Sequence, residues 1–182
     1  MPRKLLLYAA LLTLTQCSKC KDDPRPRDPA AQLPPATQTG AGTFGCLVNG
    51  QAYTPKGSNG MSNFYVSYNP TFRGGAFGIE TYRVENKDLT RYLNTDAAPV
   101  NSVGSYSLNL GAGVGEVLYS SGEGALCGFM YDSRDMTYRK ATLIITRFDK
   151  SNRIVAGTFD AVIARTGCDT LKITQGRFDA KF

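Results

Sequence analysis

At 182 residues, with 42% hydrophobic and 20% charged side chains, the chain has room for one domain of about 140 residues with a single core. The 21 Lys and Arg against 15 Asp and Glu leave a formal charge of +6; setting Arg3 and Lys4 aside with a leader leaves +4, scattered along the chain, which excludes the basic stripe a nucleic-acid partner needs. Histidine is absent, which removes the commonest general base and the commonest metal ligand, so no metal site and no cofactor is expected. Nineteen glycines and no tryptophan, between short aromatic and β-branched runs, point to an all-β domain with many turns.

The chain opens with Pro2-Arg3-Lys4 and the apolar run LLLYAALLTL from Leu5 to Leu14. About ten apolar residues cannot span roughly 30 Å of hydrocarbon, so residues 1–16 read as a signal peptide. Leu14-Thr15-Gln16-Cys17 resembles the lipobox of bacterial lipoprotein precursors, in which the Cys becomes the lipid-bearing first residue; Gln16 departs from the small residue usual there. Ser18-Lys19-Cys20-Lys21-Asp22-Asp23 resembles the surface-export signal of Bacteroidota lipoproteins. These resemblances imply palmitate-type acylation of Cys17 and a membrane partner reached through that lipid anchor. The implied location is the outer face of the cell outer membrane, with its periplasmic face as the alternative. At about 0.8 kcal/mol per buried methylene, two or three acyl chains hold a protein almost permanently.

Residues 17–42 form the lipidated N-terminus and a tether. Five prolines, mixed charge and almost no large apolar side chain between Cys20 and Gly42 predict a disordered, partly extended linker. About twenty residues at roughly 3 Å each would let the domain stand up to about 60 Å from the bilayer.

The domain itself occupies residues 43–182. In TFGCLVNGQAY, from Thr43 to Tyr53, an Asn-Gly pair flanked by alternating apolar residues predicts a hairpin with positive φ at both turn positions. Pro55 stops the return strand, and Lys56 to Met61 is a loop. Phe64, Val66 and Tyr68 alternate as a strand, and Phe77, Ile79 and Thr81 share one face of the next, Gly75 to Tyr82. Between Arg83 and Asn94 two readings compete: Leu89, Arg91 and Leu93 suit an edge strand, while VENKDLTRYL suits one or two helical turns. Gly104 to Leu110 is a strand with Tyr106, Leu108 and Leu110 inward; Val117 and Tyr119 continue after a glycine loop, and Leu126 to Tyr131 adds another strand.

The last third reads as three consecutive strands. In Thr142 to Phe148, Leu143 and Ile145 point one way and Ile144 and Phe148 the other; neither face is polar, so the strand is central. Asp149 to Arg153 closes a hairpin, and Val155, Phe159, Ala161 and Ile163 share one face of the return strand to Arg165, where Gly157 marks a bulge or a close neighbour. In Thr170 to Phe182, Leu171 and Ile173 are out of phase with Phe178, Ala180 and Phe182, which places a bulge at Gln175-Gly176. About nine or ten strands, mostly antiparallel, predict a single β-sandwich or small barrel.

If Cys17 carries lipid, four cysteines remain, and Cys20 lies in the tether. A bond within the domain then uses two of Cys46, Cys127 and Cys168, and we expect Cys127 with Cys168, worth about 4 kcal/mol for its loop in the chain-entropy view. No catalytic constellation stands out. Asp132, Asp135, Asp149, Asp160, Asp169 and Asp179 could meet in pairs as acids, but spacing selects none and most fall in expected turns.

The blocks TFGCLVNG, GSYSLNL, LIITRFDKSNRIVAGTFDAVIA and CDTLKITQGRFDAKF are similar to those of a group of β-rich Bacteroidota lipoproteins, over Thr43 to Phe182. The resemblance implies a secreted β domain and carries no functional residue with it. The expectation is a non-enzymatic cell-envelope binding or scaffold domain whose partner is an envelope protein or a glycan. Candidate contacts are Tyr65, Phe72, Tyr92 and Tyr119 in or beside glycine-rich segments. Two other classes compete: a small inhibitor that inserts a disulfide-braced loop into a hydrolase, and a carboxylate-based hydrolase with two close acids of separated pKa.

Overall fold

The computed structural model of the chain describes residues 28–109, 114–122, 127 and 136–182. The expected signal peptide, Cys17 and Cys20 lie outside the described residues, as does nearly all of the strand expected over 126–131.

Among the described residues ten strands form: β1 (Thr43–Val48), β2 (Gln51–Tyr53), β3 (Phe64–Asn69), β4 (Ala76–Asn86), β5 (Leu89–Ala97), β6 (Gly104–Ser107), β7 (Gly115–Ser120), β8 (Met136–Asp149), β9 (Ile154–Arg165) and β10 (Leu171–Lys181). They make a six-stranded sheet, β2-β1-β10-β9-β8-β6, and a four-stranded sheet, β3-β4-β5-β7. Every strand pairing is antiparallel. The sheets pack face to face as a β-sandwich without closing into a barrel.

The core lies between the sheets because inward positions alternate along both. Ile79, Leu93 and Val117 of the small sheet meet Leu143, Ile145, Phe159, Ile163 and Ile173 of the large one, all buried. Each such side chain contributes about 1.5–3 kcal/mol when removed from water. Aromatic pairs bridge the layers: Phe44 lies 5.6 Å from Phe64, and Phe77 lies 5.9 Å from Phe178.

The Asn49-Gly50 turn has φ of 48° and 78°, which lets β1 turn directly into β2. The predicted slip in β10 is a register shift between Ile173 and Gly176, with Gln175 at φ 54°. The close neighbour predicted for Gly157 is the Ile144 carbonyl oxygen, 2.1 Å from where a Cβ would stand.

Three expectations change. Phe148 does not face away from Leu143 and Ile145. A register shift between Ile145 and Arg147 inverts the alternation and brings Phe148 onto Tyr68 of the opposite sheet, 5.0 Å between rings. The segment between Arg83 and Asn94 is neither helical nor an edge: it turns at 87–88, and β5 runs between β4 and β7. Buried Leu93 sits opposite Thr81, so packing decides what local propensity left open.

The third change concerns the tether. From Asp28 to Gly42 the chain lies on the large sheet: a 3-10 turn forms at Pro29–Gln32, Leu33 is buried, and Pro34 packs on Gly45. What holds this strap is Asp179 of β10, fully buried at 0% exposure. Its carboxylate accepts from the Thr37 hydroxyl (2.7 Å) and from the N–H groups of Thr39 (2.8 Å), Gly40 (2.6 Å) and Ala41 (3.2 Å). Burial by itself raises a carboxyl pKa; here those donors outweigh it and hold Asp179 below the usual carboxylate range. A polar, proline-rich segment thus becomes ordered because its backbone donors find a buried anion.

Candidate functional site

The outer surface of the small sheet carries the site. Register sets Ser67, Gly78, Asp96 and Glu116 side by side across β3, β4, β5 and β7. Side chains alternate along a strand, so two residues away on the same surface runs a second row, Tyr65, Glu80, Asn94 and Leu118. Gly78 lets its neighbours in the first row close over it: Ser67 Oγ and Asp96 Oδ1 lie 2.9 and 3.0 Å from where its Cβ would be.

A cavity of about 1030 Å³ is lined from both faces of edge strand β3 and reaches along the first row to Glu116 and Arg139. Tyr65 and Phe72, 55% and 60% exposed, stand on its wall. A smaller polar cleft of about 360 Å³ elsewhere holds the Arg83–Glu85 ion pair, 2.8 Å.

Arg139 comes from β8 of the opposite sheet and is only 6% exposed. Its Nε donates to the Leu108 carbonyl at 2.7 Å and its Nη2 to the Gly115 carbonyl at 2.9 Å. Nη1 makes no hydrogen bond and stands 3.7 Å from Glu116 Oε2. Desolvation lowers the Arg139 pKa and Glu116 opposes that shift; a guanidinium keeps its proton regardless.

Asp96 is pushed up to about 6, first by desolvation and then by Glu116 and Glu80. The residue is nonetheless exposed at the surface, where the like charges of Glu116 and Glu80 disfavour its ionised form. Among the described residues Asp96 has neither a hydrogen bond nor an ion pair to its carboxylate. The surface therefore pairs an underneutralised carboxylate row with exposed aromatic rings, an arrangement that accepts hydrogen bonds and stacks on a ligand at once.

Of the residues expected to make contacts, the fold brings Tyr65 and Phe72 to this cavity. Tyr92 shares the outer surface but packs beside Tyr82, ring centroids 6.2 Å apart, outside the lining. Tyr119 points inward from β7, is 6% exposed and packs in the core, away from this cavity, with an edge on the smaller cleft.

Among the described residues, none of the aspartates considered from sequence forms the site. Asp132 and Asp135 lie outside the described residues. Asp149 closes its hairpin, held well below the usual carboxylate range by hydrogen bonds from Asn152 and Arg147. Asp160 is exposed on the large sheet, Asp169 lies in the turn before β10, and Asp179, which is no turn residue, holds the strap. Nothing in the sequence singles out Glu80, Asp96 and Glu116, although Tyr92, Asn94 and Asp96 alternate in phase. Only register puts Asp96 opposite Glu116.

Cys127 and Cys168 are at disulfide distance, Cα atoms 5.6 Å apart, and Cys46 is a free, buried thiol. Among the described residues no group of acids and cysteines is arranged to hold a metal ion. No family model, no curated protein and no solved structure matches the chain.

Proposed function

We propose that the protein is a non-enzymatic cell-envelope binding domain, held at the outer membrane through lipid on Cys17, with the outer surface of the small sheet as its ligand face. One observation carries the binding reading: exposed Tyr65 and Phe72 wall a cavity of about 1030 Å³ whose lining includes the cross-strand row ending at Glu116. Rings left in water beside directed carboxylates are costly on a surface that binds nothing. The anchor reading is supported by the leader and by Leu14-Thr15-Gln16-Cys17, and by the resemblance to surface lipoproteins of the Bacteroidota.

The test has two parts. Mass spectrometry of the native protein is expected to find acyl chains on an N-terminal Cys17, and Cys17→Ala to release the protein from membranes; an unmodified thiol rejects the anchor. Capture of peptidoglycan and outer-membrane fractions by the wild type is expected to fall at least tenfold for the Tyr65→Ala/Phe72→Ala double variant. Unchanged capture rejects the face.

A second reading, a carboxylate hydrolase, is favoured by one observation: Asp96 is raised to about 6 beside a Glu116 that faces Arg139. It requires glycoside or ester hydrolysis that is lost in both Asp96→Asn and Glu116→Gln.

A further inference from the structure

We infer that the free edge of β3 takes up an extended segment of a partner protein as an added antiparallel strand of the small sheet, with an acidic side chain of that segment at the Tyr68 end and apolar ones beyond it. This deepens the binding reading above, choosing a protein over a glycan for the same cavity, and rests on it.

β3 is the outermost strand of its sheet. The Tyr82 N–H donates to the Asn63 carbonyl at 3.0 Å. Continued along the register, that pairing makes Tyr65, Ser67 and Asn69 turn their backbone groups toward β4, while Phe64, Val66 and Tyr68 turn theirs outward. The Thr81 N–H, opposite Phe64, points on to Asn94 of β5, as this alternation requires. The Ser62 hydroxyl caps the Phe64 carbonyl at 2.7 Å. Among the described residues nothing meets the three outward N–H groups or the carbonyls of Val66 and Tyr68. Val66 is only 5% exposed and lines the cavity, so its amide and carbonyl open into a recess and not into bulk water. Backbone groups left unpaired in a recess are costly until a ladder completes them.

Sheet edges are normally blunted by shortness, charge, proline or a bulge. Of the other edge strands, β2 and β6 have three and four residues, and β7 carries Glu116. β3 has six residues, FYVSYN, with no charge, no proline and no shift in its register with β4.

Charge selects the occupant. At the Tyr68 end, Lys150 Nζ stands 5.6 Å from the Tyr68 ring, Phe182 packs on that ring at 5.4 Å, and Arg153 and Lys181 line the cavity. All three cations are exposed, and among the described residues none of them has an ion-pair partner. Gly40 and Gly42 of the strap line the same cavity and bring no side chain into it. A second copy of this chain does not supply the anion: in a two-fold β3 pair centred on Val66 the Tyr68 end would meet the Phe64 end, and residues 57–63, GSNGMSN, are uncharged. A segment with Glu opposite Tyr68 does supply it, and its alternate side chains then lie beside Val66 and Phe64 on the inner side.

Calorimetry with the full chain in detergent micelles tests this with the peptide Ac-Thr-Glu-Thr-Val-Thr-Val-Thr-NH2, whose Glu and two Val residues would stand opposite Tyr68, Val66 and Phe64. The peptide should bind. N-methylation of its first Val, whose N–H faces the Val66 carbonyl, should weaken binding at least about tenfold, and N-methylation of the Thr that follows, whose N–H faces solvent, by less than about twofold. Gln in place of Glu should weaken it about tenfold. Lys150→Glu/Lys181→Glu should prefer the peptide with Lys in place of Glu, at an unchanged melting temperature. No binding, equal losses from the two N-methylated peptides, or a wild type that prefers the Lys peptide overturns the inference. A dimer that excess peptide dissociates also overturns it, since a second copy then fills the edge. The broader reading falls separately, and only if the Tyr65→Ala/Phe72→Ala variant captures envelope fractions as well as the wild type does.

Discussion

Asp179→Ala isolates the contact that turns a proline-rich segment into part of the domain. In the wild type the buried carboxylate accepts from three consecutive backbone N–H groups, those of Thr39, Gly40 and Ala41, and from the Thr37 hydroxyl. Removing one partner of a buried charged network costs about 3–5 kcal/mol. The strap lies at the surface and its freed donors can turn to water, so the lower end, about 3 kcal/mol, is expected. For a chain of this size that lowers the Tm by about 6–12 °C. Urea denaturation measures the stability, and hydrogen exchange reads the strap itself: the Thr39, Gly40 and Ala41 amides should lose their protection while Ile145 and Ile163 keep theirs. The pH dependence follows from the sign of the shift. The folded pKa of Asp179 lies below its unfolded value, so its stabilisation is fully present above about pH 4 and fades as pH falls through the folded value. The gap between wild type and Asp179→Ala should therefore be constant near neutrality and close in strong acid. A loss under about 1 kcal/mol with the three amides still protected would refute the argument.

Gly157→Ala should cost about 2–4 kcal/mol, because a Cβ would stand 2.1 Å from the Ile144 carbonyl and 2.9 Å from the Phe178 ring; a melting curve near that of wild type would contradict the tight approach of β8 and β9. Cys168→Ser should lose about 4 kcal/mol, by the entropy of a loop with 41 residues of separation. Cys46, whose thiol burial pushes up, should react with an alkylating reagent only on unfolding, which mass spectrometry reads. Asp96 should titrate near 6 by carboxyl NMR, and Glu116→Gln should lower that value. The groups facing it are Glu80 and Glu116, with Arg139 behind Glu116. Its folded pKa is above the unfolded one, so ionising it costs stability that is lost progressively between about pH 4 and 6 and stays lost above. Asp96→Asn should therefore be at least as stable as wild type at pH 7.

Wherever a local rule governs the backbone, the chain could be read directly. Asn49-Gly50 and the phase slip at Gln175-Gly176 are local conformational facts, and β9 alternates from Gly157 to Ile163 because one of its faces there is core. The start of β8 was hidden, since buried Arg139 occupies a position that ought to be apolar and a register shift between Met136 and Tyr138 breaks the period. Such a residue makes sense only beside the Leu108 and Gly115 carbonyls it serves.

The amino-acid order alone determined the all-β class, the turn at Asn49-Gly50 and the aromatic character of Tyr65 and Phe72, because each depends on neighbours in the chain or on composition, while the fold brings Cys127 to Cys168 across 41 residues. Tertiary structure alone decided that Tyr119 is core, that Asp179 organises the strap, and that Glu80, Asp96 and Glu116 form one surface. A side chain's pKa, burial and partners depend on which strands lie beside it, and that pairing is settled by the energy of the whole sandwich rather than by any stretch of it.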